Sequence, residues 1–344
     1  MTKYVPLIAA AALLAACGSN GSSGGSAQQI KIVGSSTVYP FTRAVAEEFQ
    51  RGNRGASVIV ESTGTGAGIK LFCSGVGSEF PDIVNASRPM KKSELEACQK
   101  AGAQSVIEVP VGIDGLTLIS ARNAPELNLT TQDIYEALAA NPYGKPNTAQ
   151  TWKDVNPALP AIPIRVLGPP PTSGTRDSLS ELILEKGCNE NPQMKALKDS
   201  DSERHKDICT KIREDGLFVE AGENDNLLVQ KVSADPGTLG VLGYSFLDEN
   251  ADRVKPVRIG GVTPTADSIS NLTYPGARKL YIYVKGEHMR AKPKIRDFIA
   301  AYAKAWGKGG PLERIGLVPL ADTDSAAATR QATELAPLDL ASLK

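Results

Sequence analysis

The chain has 344 residues, with 38 Lys+Arg against 38 Asp+Glu, 41% hydrophobic and 5% aromatic residues. Balanced charge excludes the basic surplus of a nucleic-acid binder, and a normal apolar fraction excludes a disordered chain. Only His205 and His288 exist, which excludes a histidine-rich metal site.

Residues 1–16 carry one lysine and then an apolar run, the pattern of a signal peptide. The run ends Leu14-Ala15-Ala16-Cys17, which resembles the bacterial lipobox and makes Cys17 the expected lipidated residue. Residues 17–28, rich in Gly and Ser, read as a flexible tether with a reach of about 20 Å. Cleavage leaves 37 basic and 38 acidic residues. Beyond Cys17 no apolar run is long enough for a membrane helix.

From residue 29 strands and helices alternate. Strands are expected at 29–33, 57–61, 82–85, 105–111, 116–120, 164–167, 239–244 and 279–284. Helices are expected at 41–51, with Phe41, Val45 and Phe49 on one face, at 69–73, at 93–101 with Ser93 as cap, and at 131–139. Further helices are expected at 175–186, 227–234 and 293–306. The stretches 142–171 and 187–216 read as surface excursions, and the tail from Ala321 as weakly ordered or one short helix. This alternation implies an α/β fold with mostly parallel sheets.

Four cysteines remain after Cys17: Cys73, Cys98, Cys188 and Cys209. An even number in an exported chain implies two disulfides. Three connectivities exist. The local pairs Cys73–Cys98 and Cys188–Cys209 are the expected ones, each worth about 3 kcal/mol. No CxxC spacing points to a metal.

Three loops share one design. Gly34–Pro40, Ser62–Gly68 and Thr172–Asp177 each lead from a strand, through small hydroxyl and glycine residues, into a helix. Helix N-termini bind oxyanions through free N–H groups, and the hydroxyls add donors. Arg176 at the third loop offers a bidentate contact. One such loop alone is an ordinary helix cap. Gly64–Gly68 matches neither the dinucleotide fingerprint nor a P-loop.

With Asn85–Pro89, Gly112–Gly115 and Pro236–Tyr244 added, the segments fall in one order across about residues 29–320. As a set they resemble the phosphate-binding lipoprotein or periplasmic protein of the Pst-type ABC importer, the PstS family. The resemblance implies a two-lobed periplasmic binding protein-like fold (type II), with two hinge strands and the ligand cleft between the lobes. Lobe I would comprise 29–113 and 279–344, and lobe II 114–278. Carried over by position, the phosphate ligands would be Ser36, Thr37, the Val38 backbone, Thr65, Ser87, Ser173, Gly174 and Thr175.

This chain departs from the family twice. Arg88 stands where many members have an aspartate that takes the phosphate proton, and Pro169 where many have an arginine. Arg88 and Arg176 are therefore expected to supply the charge, with Asp114 or Asp177 as the proton acceptor. A competing reading makes Asp114-Gly115 a plain turn between two strands.

The resemblance implies no cofactor and no metal. It implies inorganic phosphate as ligand, the importer's inner-membrane permease as partner, a monomer, and anchoring through the Cys17 lipid in the periplasm or at the outer membrane. The alternative is an accessory surface lipoprotein. A phosphatase is disfavoured. His205 reads as solvated and His288 as part of a turn, so neither is placed as a base for Ser36 or Ser173.

Overall fold

The structure, a computed structural model, describes residues 29–222 and 224–343. The signal segment, Cys17 and the tether lie outside the described residues. Eleven strands are seen among the described residues: β1 Gln29–Gly34, β2 Ser57–Ser62, β3 Ile83–Ala86, β4 Val106–Ala121, β5 Asn128–Leu129, β6 Val166–Gly168, β7 Phe218–Glu220, β8 Leu239–Gly243, β9 Val254–Pro256, β10 Arg258–Ile259 and β11 Ala277–Lys285. Nine form one sheet in the order β2-β1-β3-β11-β4-β8-β6-β7, with β9 also on β4, and β5 pairs with β10. The mixed α/β, two-lobed architecture is as expected, but the sheet is not mostly parallel. β11 runs antiparallel to both β3 and β4, and β4 antiparallel to β8 and β9.

The spine of the molecule is β4. The sequence reads as two strands broken at Gly112–Gly115, yet the chain runs straight through for 16 residues. Val106–Gly115 pairs with β11, and Leu116–Ser120 pairs with β8. Neighbours cover both faces, so Ile107, Val109, Val111, Ile113, Leu116, Leu118 and Ile119 are all buried. Gly112 is needed for space, since a Cβ there would lie 2.5 Å from Leu317. The Asp-Gly turn is thus corrected: Asp114 and Gly115 are ladder residues opposite Arg278 and Ala277.

The helix Tyr39–Gly52 buries Phe41, Val45 and Phe49, and Phe49 meets Phe298 edge-on at 5.5 Å. Its stripe is the predicted one. The helix Thr65–Phe72 starts four residues before the expected position, directly at the Gly64 cap. The helix Lys92–Lys100 is capped through the Glu94 carboxylate, which accepts from the Lys91 N–H at 2.8 Å, not by Ser93. Residues 174–188 form a continuous helical run, with Gly174–Ser178, a π segment Leu179–Leu184, and Glu185–Cys188.

The 187–216 excursion contains two helices, Pro192–Ser200 and Ser202–Thr210. Cys188–Cys209 clasps it, and Cys73–Cys98 joins the helices Thr65–Phe72 and Lys92–Lys100. The 142–171 stretch is pinned by the fully buried Trp152. The tail holds a 13-residue helix, Asp322–Glu334, and Leu338 then donates its N–H to Val106 O at 2.7 Å.

Both histidines are buried, against expectation. His205 bonds Asn189 at 2.8 Å beside the Cys188–Cys209 disulfide. His288, in the helix Gly286–Ala291, accepts from the Gly77 N–H at Nε2 (3.0 Å), so Nδ1 carries the proton toward Asp82 (2.7 Å). Lys292 completes this buried cluster with bonds of 3.0 and 2.9 Å to Asp82. Neither imidazole has a bond to a site loop.

Candidate functional site in the cleft

The three loops follow β1, β2 and β6, and the first two are joined at Gly34 O, which accepts from the Thr63 and Gly64 N–H groups at 2.9 Å. Gly34 is the pivot of the first. A Cβ there would lie 2.2 Å from Asn85 O, so only glycine lets the loop turn off β1 against β3. The helices that follow the first two loops have no side-chain cap at Val38 or Gly64. In the third, Ser173 caps its own helix, its Oγ accepting from the Thr175 N–H at 3.2 Å. Gly174 then lies against the first loop, where a Cβ would be 2.8 Å from Ser36 O and from Thr37 Cα. The first and third loops therefore touch.

Four side chains form a knot at this contact. Arg278, on β11, donates from Nε to Asp114 at 3.2 Å and from Nη2 to Thr37 Oγ1 and Ser178 Oγ, both at 2.9 Å. Ser178 Oγ donates to Asp114 at 2.6 Å. Arg278 and Asp114 face each other across the β4–β11 ladder and are only 10% and 17% exposed, so their attraction is weakly screened. Beside the knot, Ser36 donates to Asp177. Thr65 and Ser87 pair through their hydroxyls at 2.9 Å. Glu181 accepts from Arg278 Nη1 and, at 3.4 Å, from Ser87 Oγ.

Two hollows border the knot. One, of about 560 Å³, is lined by Ser36, Thr37, Asp114 and the Ser173–Thr175 loop. The other, of about 610 Å³, is lined by Thr65, Ser87, Arg88, Glu181 and Arg278.

Of the expected site residues, Ser36, Thr37, Asp114, Ser173, Gly174 and Thr175 line one hollow, and Thr65, Ser87 and Arg88 line the other. The Val38 side chain is core, and its N–H points to Ser35 Oγ at 3.4 Å. The two expected arginines are each bonded to protein groups. Arg88 makes a two-pronged pair with Glu94 at 2.9 and 2.7 Å and also bonds Pro89 O. That pairing holds the guanidinium above its usual pKa. On Glu94, burial pushes the carboxyl up, but Arg88 and the Lys91 N–H outweigh it and leave it lowered. Arg176 donates to Pro169 O at 2.9 Å and stacks over Phe218 at 4.7 Å, and burial lowers its pKa.

Three residues were missed: Arg278, Ser178 and Glu181. The sequence does carry a signal for Arg278. It is an arginine at the start of the strand Ala277–Lys285, next to Lys279 and ahead of the apolar run Leu280–Val284. It opens a strand, whereas the hydroxyl-rich loops open helices. Ser178 and Glu181 look like ordinary helix residues.

A family model for the PBP superfamily domain matches residues 20–305. The chain is 36% identical to Protein SphX of Synechococcus elongatus over 307 residues, 87% of this chain and 79% of the relative. It is 31% identical to the phosphate-binding protein PstS of Staphylococcus saprophyticus, over 92% of this chain and 89% of that one. The chain belongs to the PstS-type family of substrate-binding proteins. Among solved structures, a possible phosphate binding protein from Planctomyces limnophilus superposes with a TM-score of 0.72 at 28% identity, over 89% of this chain and 98% of that one. An ABC-type phosphate transport receptor from Vibrio cholerae shares the fold, with a TM-score of 0.59 at 22% identity over 84% and 100% of the two chains.

Family membership fixes the two-lobed plan. The charge pair at the contact, Asp114 and Arg278, stands on β4 and β11.

Proposed function

We infer that this chain is a phosphate-binding receptor that closes two lobes on inorganic phosphate and delivers it to the permease of an ABC importer. The observation that carries the reading is the Arg278–Asp114 pair, set at the crossing strands and touched by hydroxyls from both lobes. Arg278 supplies the positive charge to the oxyanion. Hydroxyls of Ser36, Thr37, Thr65, Ser87, Ser173 and Thr175, with the backbone N–H groups of Val38 and Gly174, supply neutral donors.

Asp114 is the acceptor for the proton of hydrogen phosphate. Both aspartates accept from a serine hydroxyl, but only Asp114 also lies beside Arg278, the cation that binds the anion. Sulfate, fully ionised, has no proton to give, so Asp114 would face it with an unrelieved repulsion. Arg88 and Arg176 keep their protein partners and act as supports for the second and third loops. Lobe I is assigned to 29–113 and 279–344, lobe II to 114–278. The chain is exported and held to the membrane through a lipid on Cys17. Among the described residues no helix is long and apolar enough to cross a membrane.

Calorimetric titration of protein from residue 27 onward, stripped of anion by unfolding and refolding, tests the reading. One-to-one phosphate binding with no sulfate response is expected. Absence of phosphate binding overturns it.

A further inference from the structure

Glu181 is an acidic side chain that reaches two anion-binding donors at once, Arg278 and Ser87, where Asp177 reaches Ser36 alone. Glu181 rises from the π segment Leu179–Leu184, where a widened turn displaces the following side chains from regular α positions. One carboxylate oxygen, Oε2, accepts from Arg278 Nη1 and from Ser87 Oγ. Ser87 is in turn paired with Thr65, so this one oxygen sits on a donor set drawn from β11 and from the first lobe. These are the donors that an incoming oxyanion would use.

A carboxylate and a phosphate share geometry as acceptors for a guanidinium fork, so they compete for it. Glu181 is also able to leave. Its side chain is 47% exposed, against 10% for Arg278. A half-exposed carboxylate regains water when it swings away, whereas Arg278 is fixed by Asp114, Thr37 and Ser178.

We propose that Glu181 is a built-in competitor for the anion site, a carboxylate that holds Arg278 and Ser87 until an oxyanion displaces it, and that it thereby sets the receptor's affinity. The proposal rests on the phosphate-receptor reading and deepens it. Displacement costs the bound anion part of its energy, and the displaced negative charge still opposes a dianion nearby. Removing the carboxylate therefore tightens binding, the opposite of what loss of a ligand residue does.

Glu181→Gln and Glu181→Ala test this, each titrated with inorganic phosphate by calorimetry, with association rates from stopped flow. Thermal melting checks that each variant is folded. Phosphate Kd is expected to fall about tenfold in Glu181→Ala and by less in Glu181→Gln, whose amide oxygen still accepts from Arg278. The gain is expected mainly in the association rate.

The effect must also depend on Arg278. In an Arg278→Gln background the Glu181→Ala gain is expected to vanish, a coupling that a merely structural role would not produce. Unchanged phosphate affinity in both single variants overturns the proposal. Weaker binding overturns it too and would make Glu181 a proton acceptor for phosphate. Failure of the parent protein to bind phosphate is a separate result, which removes the receptor reading itself.

Discussion

Replacing Arg278 with glutamine separates the account from one based on Arg88 or Arg176. Arg278 bonds four partners, Asp114, Thr37, Ser178 and Glu181, with its side chain 10% exposed. A hydrogen bond to a charged group is worth about 1.5–3 kcal/mol, so losing a two-pronged contact to phosphate costs about 3–6 kcal/mol. The lower end applies, because Arg278 is already satisfied by Glu181 before the anion arrives. About 3 kcal/mol corresponds to a loss of about a hundredfold in Kd. The variant also leaves Asp114 without its ion pair. Asp114 keeps the Ser178 hydroxyl at 2.6 Å, so the stability cost is about 1–3 kcal/mol. Calorimetry reads the first effect and urea unfolding the second. Adding Asp114→Asn is expected to restore stability without restoring phosphate affinity. Phosphate binding by Arg278→Gln within threefold of the parent, with the protein folded, would refute the reasoning.

Arg88→Ala and Arg176→Ala are expected to change phosphate Kd by no more than about threefold, with Arg88→Ala losing only the 0.2–1 kcal/mol typical of a partly exposed ion pair. A hundredfold loss in either would return the charge to the loops. Gly174→Ala places a Cβ 2.8 Å from Ser36 O, so it should hold the lobes apart and weaken phosphate about tenfold or more, while far-ultraviolet circular dichroism stays unchanged.

Asp82 is expected to contribute to acid sensitivity. Burial pushes its carboxyl up, but bonds from His288, the Lys31 N–H and Lys292 outweigh it and leave the pKa lowered. A lowered carboxylate stabilises the fold above its unfolded value, about 3.9, and that contribution fades as pH falls through the folded value. Asp82→Asn should therefore cost about 3–5 kcal/mol in urea unfolding at pH 7, and the gap to the parent should narrow below pH 4. A gap that stays constant with pH would contradict this.

The amphipathic helix Tyr39–Gly52, the strands β1, β2 and β3 and both disulfides follow from periodicity and cysteine count, because each is decided by local pattern or by chain separation. The same patterns fail at β4. A strand covered on both faces shows no alternation, and its glycines look like a break until Leu317 is seen packing against Gly112, and Ile269 and Tyr244 against Gly115. The hydroxyl-rich loops are legible because their chemistry is contiguous in sequence. Arg278 and Asp114 are 164 residues apart, and only the antiparallel register of β11 on β4 makes them neighbours. Arg88 misleads for the converse reason. It sits in a site motif, but Glu94 is six residues away and takes both prongs of its guanidinium. His205 reads as surface from its charged neighbours, and the Cys188–Cys209 clasp is what buries it.

The most direct test of the central claim, that the crossing strands carry the charge pair of the anion site, is a crystal structure of the protein grown with phosphate. The account predicts one phosphate between the lobes, with Arg278 donating to it and an Asp114 carboxylate oxygen about 2.5–2.7 Å from a phosphate oxygen, the length of a bond that carries the anion's proton. A phosphate bound instead to Arg88 or Arg176, with Arg278 and Asp114 still closed on each other, would contradict it.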